Sequence, residues 1–412
     1  EFIRAVGRKA RINSRPQYKL NGSDGNMETI LIVAHSGRML AQAAKNAGLR
    51  PLVIDLFADL DTQSYAEDFR QVKSLAEQDL APAVDYFIER YAVARVIYGS
   101  GFECFPQSLY YLNSRLMLLG NHPDVFAGQL DKRAFFSTLD RLNIPYPEVV
   151  FGAPAHFDHG RAGDWLLKPM QGQGGVGIKR CQVGDAVMAS TYWQKFQAGT
   201  PHSVLFLADG KQVQVIGFNR QWSVRLSETR EFVFSGVSNS CDPADAHQAV
   251  ITDWLPKLVP AFALKGLNSL DFIHADDRSY VLEINPRPSA SMQLYDENLL
   301  VRHIQSCVEV AVGATSVALF LAAGRLKSPL QLPLQSSPQS ESGYQIVYAE
   351  RNLTIPERFE WPEWCMDLPK SGSFIPTGQP ICSIIAHQKD SRSAAVQLLI
   401  KQQLIINKLE RF

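Results

Sequence analysis

Near its start the chain runs Ile30-Leu31-Ile32-Val33-Ala34, an unbroken apolar stretch rich in β-branched residues. A short run without polar alternation fits a parallel strand buried on both faces. His35-Ser36-Gly37-Arg38 follows, then a helical pattern from Met39 to Ala47 that stops at Gly48. Pro51-Leu52-Val53-Ile54-Asp55 and Arg95-Val96-Ile97-Tyr98 read as further strands, the second leading into Gly99-Ser100-Gly101-Phe102-Glu103. This rhythm of strand, turn, helix and strand predicts a doubly wound α/β unit over residues 27–128. Ligands of such sheets lie beyond the carboxyl ends of the strands. Ser36, Gly37, Arg38, Gly101 and Glu103 occupy such ends and are candidate substrate contacts. For Arg38 and Glu103 the alternative is plain surface solvation.

A helix from Asp131 to Asn143 and the bend Ile144-Pro145-Tyr146-Pro147 open a second region, residues 129–327. Strands are expected at Asp164–Lys168, Ser203–Leu207, Gln212–Phe218, Glu231–Val237, Leu267–Ile273 and Ser279–Ile284, mostly alternating as antiparallel sheet does. Val308–Ala323 reads as a packed helix. Ser328–Ser342, rich in Pro, Ser and Gln, reads as a linker. Beyond it, residues 328–412 predict a small β-rich region, with strands at Tyr344–Ala349 and Ile381–Ala386 and a closing helix from Ser393 to Lys408. Residues 1–26 hold six basic residues and no apolar centre, so they read as an extension outside the fold and not as a secretory signal.

Lys plus Arg and Asp plus Glu balance at 41 each, so no overall field recruits nucleic acid or an anionic membrane. No apolar run approaches the ~18 residues of a membrane span, and the expected compartment is the cytoplasm. The six cysteines show no CxxC or Cys/His spacing, which argues against a disulfide framework or a structural zinc site.

Two patterns carry chemistry. In Trp165-Leu166-Leu167-Lys168-Pro169-Met170-Gln171-Gly172-Gln173-Gly174-Gly175-Val176-Gly177, a strand delivers a lysine directly into a glycine-rich loop. Glycines let backbone N–H groups approach phosphate oxygens, and the lysine adds a point charge. The loop is not a Walker loop, because its lysine precedes the glycines. In the second pattern, Asp271 and Glu283 sit in apolar strands, followed by Asn285 and Arg287 at spacings of two. A carboxylate is costly to bury unless it is paired or ligates a metal. Glu283 and Asn285 share a strand face, and two carboxylates with an amide oxygen form the hard set that Mg²⁺ prefers. A structural ion pair of Arg287 with one of the acids is the alternative. No GxGxxG follows the first strand, which disfavours a nicotinamide or flavin site, and no Gly-x-Ser-x-Gly elbow appears.

With these motifs in order, the chain resembles the ATP-grasp superfamily of carboxylate–amine ligases. The signature is Asp131-Lys132, then Lys168 with Gly172, Gly174 and Gly175, then Gln194-Lys195-Phe196-Gln197, then Asp271, Glu283, Asn285 and Arg287. The resemblance implies a Rossmann-like domain followed by two α+β subdomains that grip ATP. It also implies that Lys132 and Lys168 hold phosphates, and that Gln194, Phe196 and Gln197 border the adenine. Asp271, Glu283 and Asn285 would bind Mg²⁺, and Arg287 would stabilise an acyl phosphate and the tetrahedral species after it. The usual acidic residues near adenine and ribose are replaced by Gln194, Lys195, Thr200, Pro201 and His202.

Within the superfamily the phrases Ser36–Ala41, Asp55–Thr62, Gly99–Glu103 and Asn285–Ala290 are similar to carboligases related to tyramine–glutamate ligase. They are most similar to ATP-grasp proteins linked to tetrahydromethanopterin-dependent one-carbon metabolism. The implied activity is ADP-forming ligation of a small carboxylate to an amine, with a pterin and an amino acid as partners. A homodimer is the ordinary expectation for a metabolic enzyme. Two other readings stay open: a catalytically reduced protein that carries a pterin, and an ATP-grasp kinase.

Overall fold

The β-branched run becomes the central strand of a five-stranded parallel sheet. The computed structural model describes residues 27–152, 164–181, 188, 190–239, 245–275, 278–295, 298–308, 341–387 and 393–411. The readings of residues 1–26, of Val308–Ala323 beyond its first residue, and of the linker through residue 340 lie outside the described residues. Strands β1 (Thr29–Val33), β2 (Arg50–Asp55), β3 (Asp68–Gln71), β4 (Arg95–Tyr98) and β5 (Met117–Leu119) lie in the order β3-β2-β1-β4-β5.

Helices α1 (Arg38–Asn46), α2 (Leu60–Tyr65), α3 (Glu77–Tyr91), α4 (Pro106–Arg115) and α5 (Pro123–Leu130) complete this domain. The two-residue period of β1 explains its composition. Leu31 and Val33 join one core with Leu80, Val84 and Phe87 of α3. Ile30 and Ile32 join another with Leu40, Ala41 and Ala44 of α1. From Ile30 to Val33 both faces are dry, so no polar position remains there. α1 ends where Gly48 takes φ of 75°, a conformation that costs glycine little.

Helix α6 (Lys132–Arg141) starts the second region, capped by Asp131, whose Oδ1 accepts from Ala134 N at 3.1 Å. A four-stranded antiparallel sheet follows, from β6 (Val149–Val150), β7 (Trp165–Pro169), β8 (Lys179–Arg180) and β9 (Thr191–Lys195), in the order β6-β9-β7-β8. Next come β10 (Thr200–Asp209), β11 (Val213–Val224), β12 (Val233–Ser238), helix α7 (Asp245–Phe262), β13 (Lys265–Ala275), β14 (Arg278–Asn285) and helix α8 (Leu299–Cys307). The C-terminal residues supply β15 (Ser342–Tyr348), β16 (Leu353–Thr354), β17 (Cys365–Met366), β18 (Phe374–Ile375), β19 (Pro380–His387) and helix α9 (Ala394–Glu410).

Strands β15, β19 and β17 do not close a sheet of their own. They extend an eight-stranded antiparallel sheet, β14-β13-β10-β11-β12-β15-β19-β17. Ser342, expected as the last linker residue, already belongs to β15, where its N–H donates to Asn239 Oδ1 at 2.7 Å. β10 also departs from the alternation expected of it, since Val204 through Ala208 are all buried. Val204, Phe206 and Ala208 pack with Phe135, Phe136 and Leu255. Leu205 and Leu207 face the first domain, alongside Ile30, Ile32 and Leu40. Each such leucine is worth about 1.5–3 kcal/mol of burial, so the two regions share a core.

Candidate active site

Asp271 on β13 and Glu283 on β14 are register partners. The pairing slips directly after them, Phe272 facing Val281, so Leu282 is an extra residue. Such a bulge re-aims side chains and sets the two carboxylates opposite each other. Asn285 Nδ2 donates to Asp271 Oδ2 at 3.0 Å, and Gln221 Nε2 donates to Asp271 Oδ1 at 3.2 Å. Burial and the Glu283 charge push the Asp271 carboxyl up from its ordinary value, against these amide donors. Lys132 Nζ stands 3.9 Å from Glu283 Oε2.

This donor set fits a magnesium ion. Two carboxylates and an amide oxygen are hard ligands at one edge of a sheet, and Mg²⁺ needs only one or two carboxylates beside phosphates and water. Among the described residues no three His, Cys, Asp or Glu side chains form a fuller metal shell.

Lys168 on β7 is buried and donates from Nζ to Gln194 Oε1 at 3.0 Å. Burial lowers its pKa, while Glu283 and Asp271 act in the opposite sense. Gln194 Nε2 is buried and has no hydrogen-bond partner among the described residues. An orphaned donor beside a buried lysine suits a ligand with acceptor atoms, as a purine edge or a phosphate provides.

The ring of Phe196 lies 4.0 Å under the Arg180 guanidinium, which is ion-paired to Glu231 at 3.0 Å. Gln197 is partly exposed, its amide donating to Ala198 O at 3.3 Å. In the glycine loop, Gly174 and Gly175 take φ of 60° and 74°. A Cβ on Gly175 would fall 1.9 Å from Phe232 O, and Phe234 N donates to Gly174 O at 2.9 Å. The loop is thereby laid against β12. Gly172 needs no such backbone; its neighbour is the Pro169 ring.

Arg287 continues from β14 to the first domain. Its Nε donates to Glu103 Oε1 at 2.6 Å, and Nη2 to Asn285 Oδ1 at 3.4 Å. Glu103 Oε2 accepts from Gly101 N at 2.8 Å. Pro286 O accepts from Tyr98 Oη at 3.0 Å and Asn121 Nδ2 at 2.9 Å, fixing the chain just before Arg287. The acid that pairs with Arg287 is therefore Glu103, and not one of the two in the carboxylate strands.

The remaining strand-end residues gather elsewhere. Arg38 is buried, with Nε on Asp367 Oδ1 at 3.1 Å, Nη1 on Gln42 Oε1 at 3.0 Å and Nη2 on Gln293 Oε1 at 3.0 Å. Ser36 Oγ donates to the same Asp367 oxygen at 3.2 Å. Gly37 N donates to Asp55 Oδ2 at 3.0 Å, and a Cβ there would meet Val53 at 2.5 Å. Arg38 is thus neither solvated nor open to a ligand without rearrangement. Sequence reasoning passed over Asp59, Asp61, Gln221 and Asp367. Asp59 and Asp61 stood inside a distinctive phrase, whereas Gln221 and Asp367 carry no local signal.

A parallel sheet followed by two antiparallel sheets is the architecture of the ATP-grasp fold. Residues 130–291 match the ATP-grasp domain family. Over 311 residues, 70% of this chain, the sequence is 22% identical to the carbamoyl phosphate synthase large chain of Clostridium perfringens strain SM101. The match spans 28% of that relative's length. Among solved structures, a biotin carboxylase complex with βγ-ATP from Campylobacter jejuni superposes with a TM-score of 0.67 at 15% identity, covering 93% of this chain and 92% of that one. N5-carboxyaminoimidazole ribonucleotide synthetase from Thermotoga maritima gives 0.62 at 15% identity, covering 92% and 98%. At these identities the likeness is one of fold. Among the described residues no helix is long and apolar enough to cross a membrane.

Proposed function

We propose that the chain is a Mg²⁺-ATP-dependent ligase that joins a small carboxylate to an amine. A substrate carboxylate oxygen attacks the γ-phosphorus and ADP leaves. The amine then displaces phosphate from the acyl phosphate and loses a proton, giving an amide. The observation that carries this reading is the opposition of Asp271 and Glu283 with Lys132 3.9 Å from Glu283. Bound magnesium would neutralise phosphate charge there. Lys132 and Lys168 hold phosphate oxygens, Gln194 offers its free N–H to the nucleotide, and the loop at Gly172, Gly174 and Gly175 covers the phosphates. Phe196 and Gln197 border the base. Arg287, oriented by Glu103, faces the negative charge that develops on the acyl group.

The likeness to a carboxylase, a synthetase and a carbamoyl phosphate synthase supports chemistry on an activated carboxyl group. A pterin partner is supported by the sequence phrases Ser36–Ala41, Asp55–Thr62, Gly99–Glu103 and Asn285–Ala290 alone. A carrier without catalysis would gain nothing from an opposed carboxylate pair.

The test is ADP release from MgATP in the presence of paired carboxylates and amines, with hydroxylamine as a surrogate amine. An amide or hydroxamate formed in step with ADP supports ligation. A stable phosphorylated product without amide would make the protein a kinase, and MgATP binding without turnover for any pair would favour a carrier.

A further inference from the structure

Gln194 is 1% exposed, and its side-chain amide is satisfied at one end. Oε1 accepts from Lys168 Nζ at 3.0 Å, whereas Nε2 is buried without a hydrogen-bond partner among the described residues. A lysine ammonium donates and cannot accept, so it sets the amide with its oxygen toward Lys168. The group left over is a donor.

Strand register holds that arrangement. Lys168 pairs with Tyr192, and Leu166 with Gln194, across β7 and β9. Residues two apart share a strand face, so Lys168 and Gln194 stand on the same one. On the other face Leu167, Trp193 and Cys181 pack together. The cross-strand neighbours of Gln194 are Leu166 on β7 and Val149 on β6, and neither side chain carries an acceptor. A buried donor with no partner is destabilising until a ligand acceptor meets it.

On the ligase reading, that acceptor is an atom of the nucleotide base. Adenine carries an amino group at C6, which is itself a donor. Against Gln194 Nε2 it would set donor against donor. Adenine can meet this N–H only through a ring nitrogen, and its amino group then needs an acceptor of its own. Gln194 Oε1 is already held by Lys168, and the side chains of Leu166 and Val149 supply none. A purine with oxygen at C6 presents an acceptor directly.

We propose that Gln194 sets the base preference of the nucleotide site, and that 6-oxopurine nucleotides bind there at least as tightly as adenine nucleotides. The assignment rests on the ligase reading and deepens it by naming the base the site accepts. Transfer chemistry at the γ-phosphorus is the same for either base.

The test is calorimetric titration of the full chain with MgADP and with MgIDP. The two carry identical phosphates and differ in the base, with an amino group at C6 in one and oxygen in the other. MgIDP binding at least as tight as that of MgADP is expected. Tighter binding of MgADP would overturn the assignment.

Gln194→Glu replaces the fixed donor with a second acceptor. It should move the ratio of the two affinities toward MgADP by about tenfold, since an unmatched buried group costs about that factor. Any disturbance of Lys168 acts on both nucleotides alike and cancels in the ratio. An unchanged ratio would also overturn the assignment. If Gln194→Glu does not fold, the wild-type comparison decides alone. Binding of neither nucleotide would overturn the ligase reading, and the base assignment with it.

Discussion

Arg287 Nε meets Glu103 Oε1 at 2.6 Å across 184 residues of chain, tying the carboxylate strands to the first domain. Both side chains are nearly buried, at 11% and 7% exposure. Removing one partner of such a pair strands the other charge, which typically costs about 3–5 kcal/mol. Glu103→Ala should therefore lower the urea midpoint with little change in slope. A cost below about 1 kcal/mol, the range of surface pairs, would mean that Arg287 is already well solvated.

The glycine loop makes a sterically sharper prediction. Gly175→Ala must carry a Cβ into Phe232 O at φ of 74°, so the loop should lift from β12. Weaker MgATP binding is expected, by at least about tenfold, or ~1.4 kcal/mol. Gly128→Ala is the control, lying within α5 with nothing within 4 Å of an added Cβ. It should stabilise by about 0.5–1 kcal/mol and leave nucleotide affinity alone. Equal effects of the two variants would remove the loop from the phosphate site.

Asp59 fixes a pH dependence of stability. Burial first, then the charges of Asp367, Asp55 and Asp61, push its folded-state carboxyl from the ordinary 3.8 up to about 8, against the opposite pull of Arg38. Between those two values the folded chain keeps a proton that the unfolded chain releases, so stability falls as pH rises. Asp59→Asn removes the titrating carboxyl. Its melting temperature should exceed the wild type's by a margin that widens from pH 5 to pH 8. Parallel pH profiles would contradict the assignment.

Lys168 and Gln194 share one hydrogen bond at 3.0 Å. Lys168→Ala should weaken MgATP binding by at least about tenfold, because a buried phosphate then loses its point charge. Unchanged affinity in equilibrium dialysis would place the nucleotide elsewhere.

Much of this arrangement was legible before the structure. The run at Ile30 announced a strand dry on both faces, Asp271 and Glu283 stood out because acids are rare in apolar strands, and Asn285 because it shares a face with Glu283. What escaped was tertiary. The bulge at Leu282 that opposes the two acids depends on the pairing of β13 with β14. Asp367 completes a cluster with Ser36 and Arg38 only because the sheet continues from β12 into β15. β10 read as alternating because its second dry face exists only once the first domain packs on it. Glu103 offered no sign that its partner would be Arg287, since long-range ion pairs leave no local pattern.

Asp271 and Glu283 together should make nucleotide binding depend on magnesium. The direct measurement is calorimetric titration of ATP with and without Mg²⁺, on the wild type and on Glu283→Ala. Magnesium should strengthen binding in the wild type, and the variant should lose this dependence. ATP affinity indifferent to magnesium, or equally magnesium-dependent in Glu283→Ala, would contradict it.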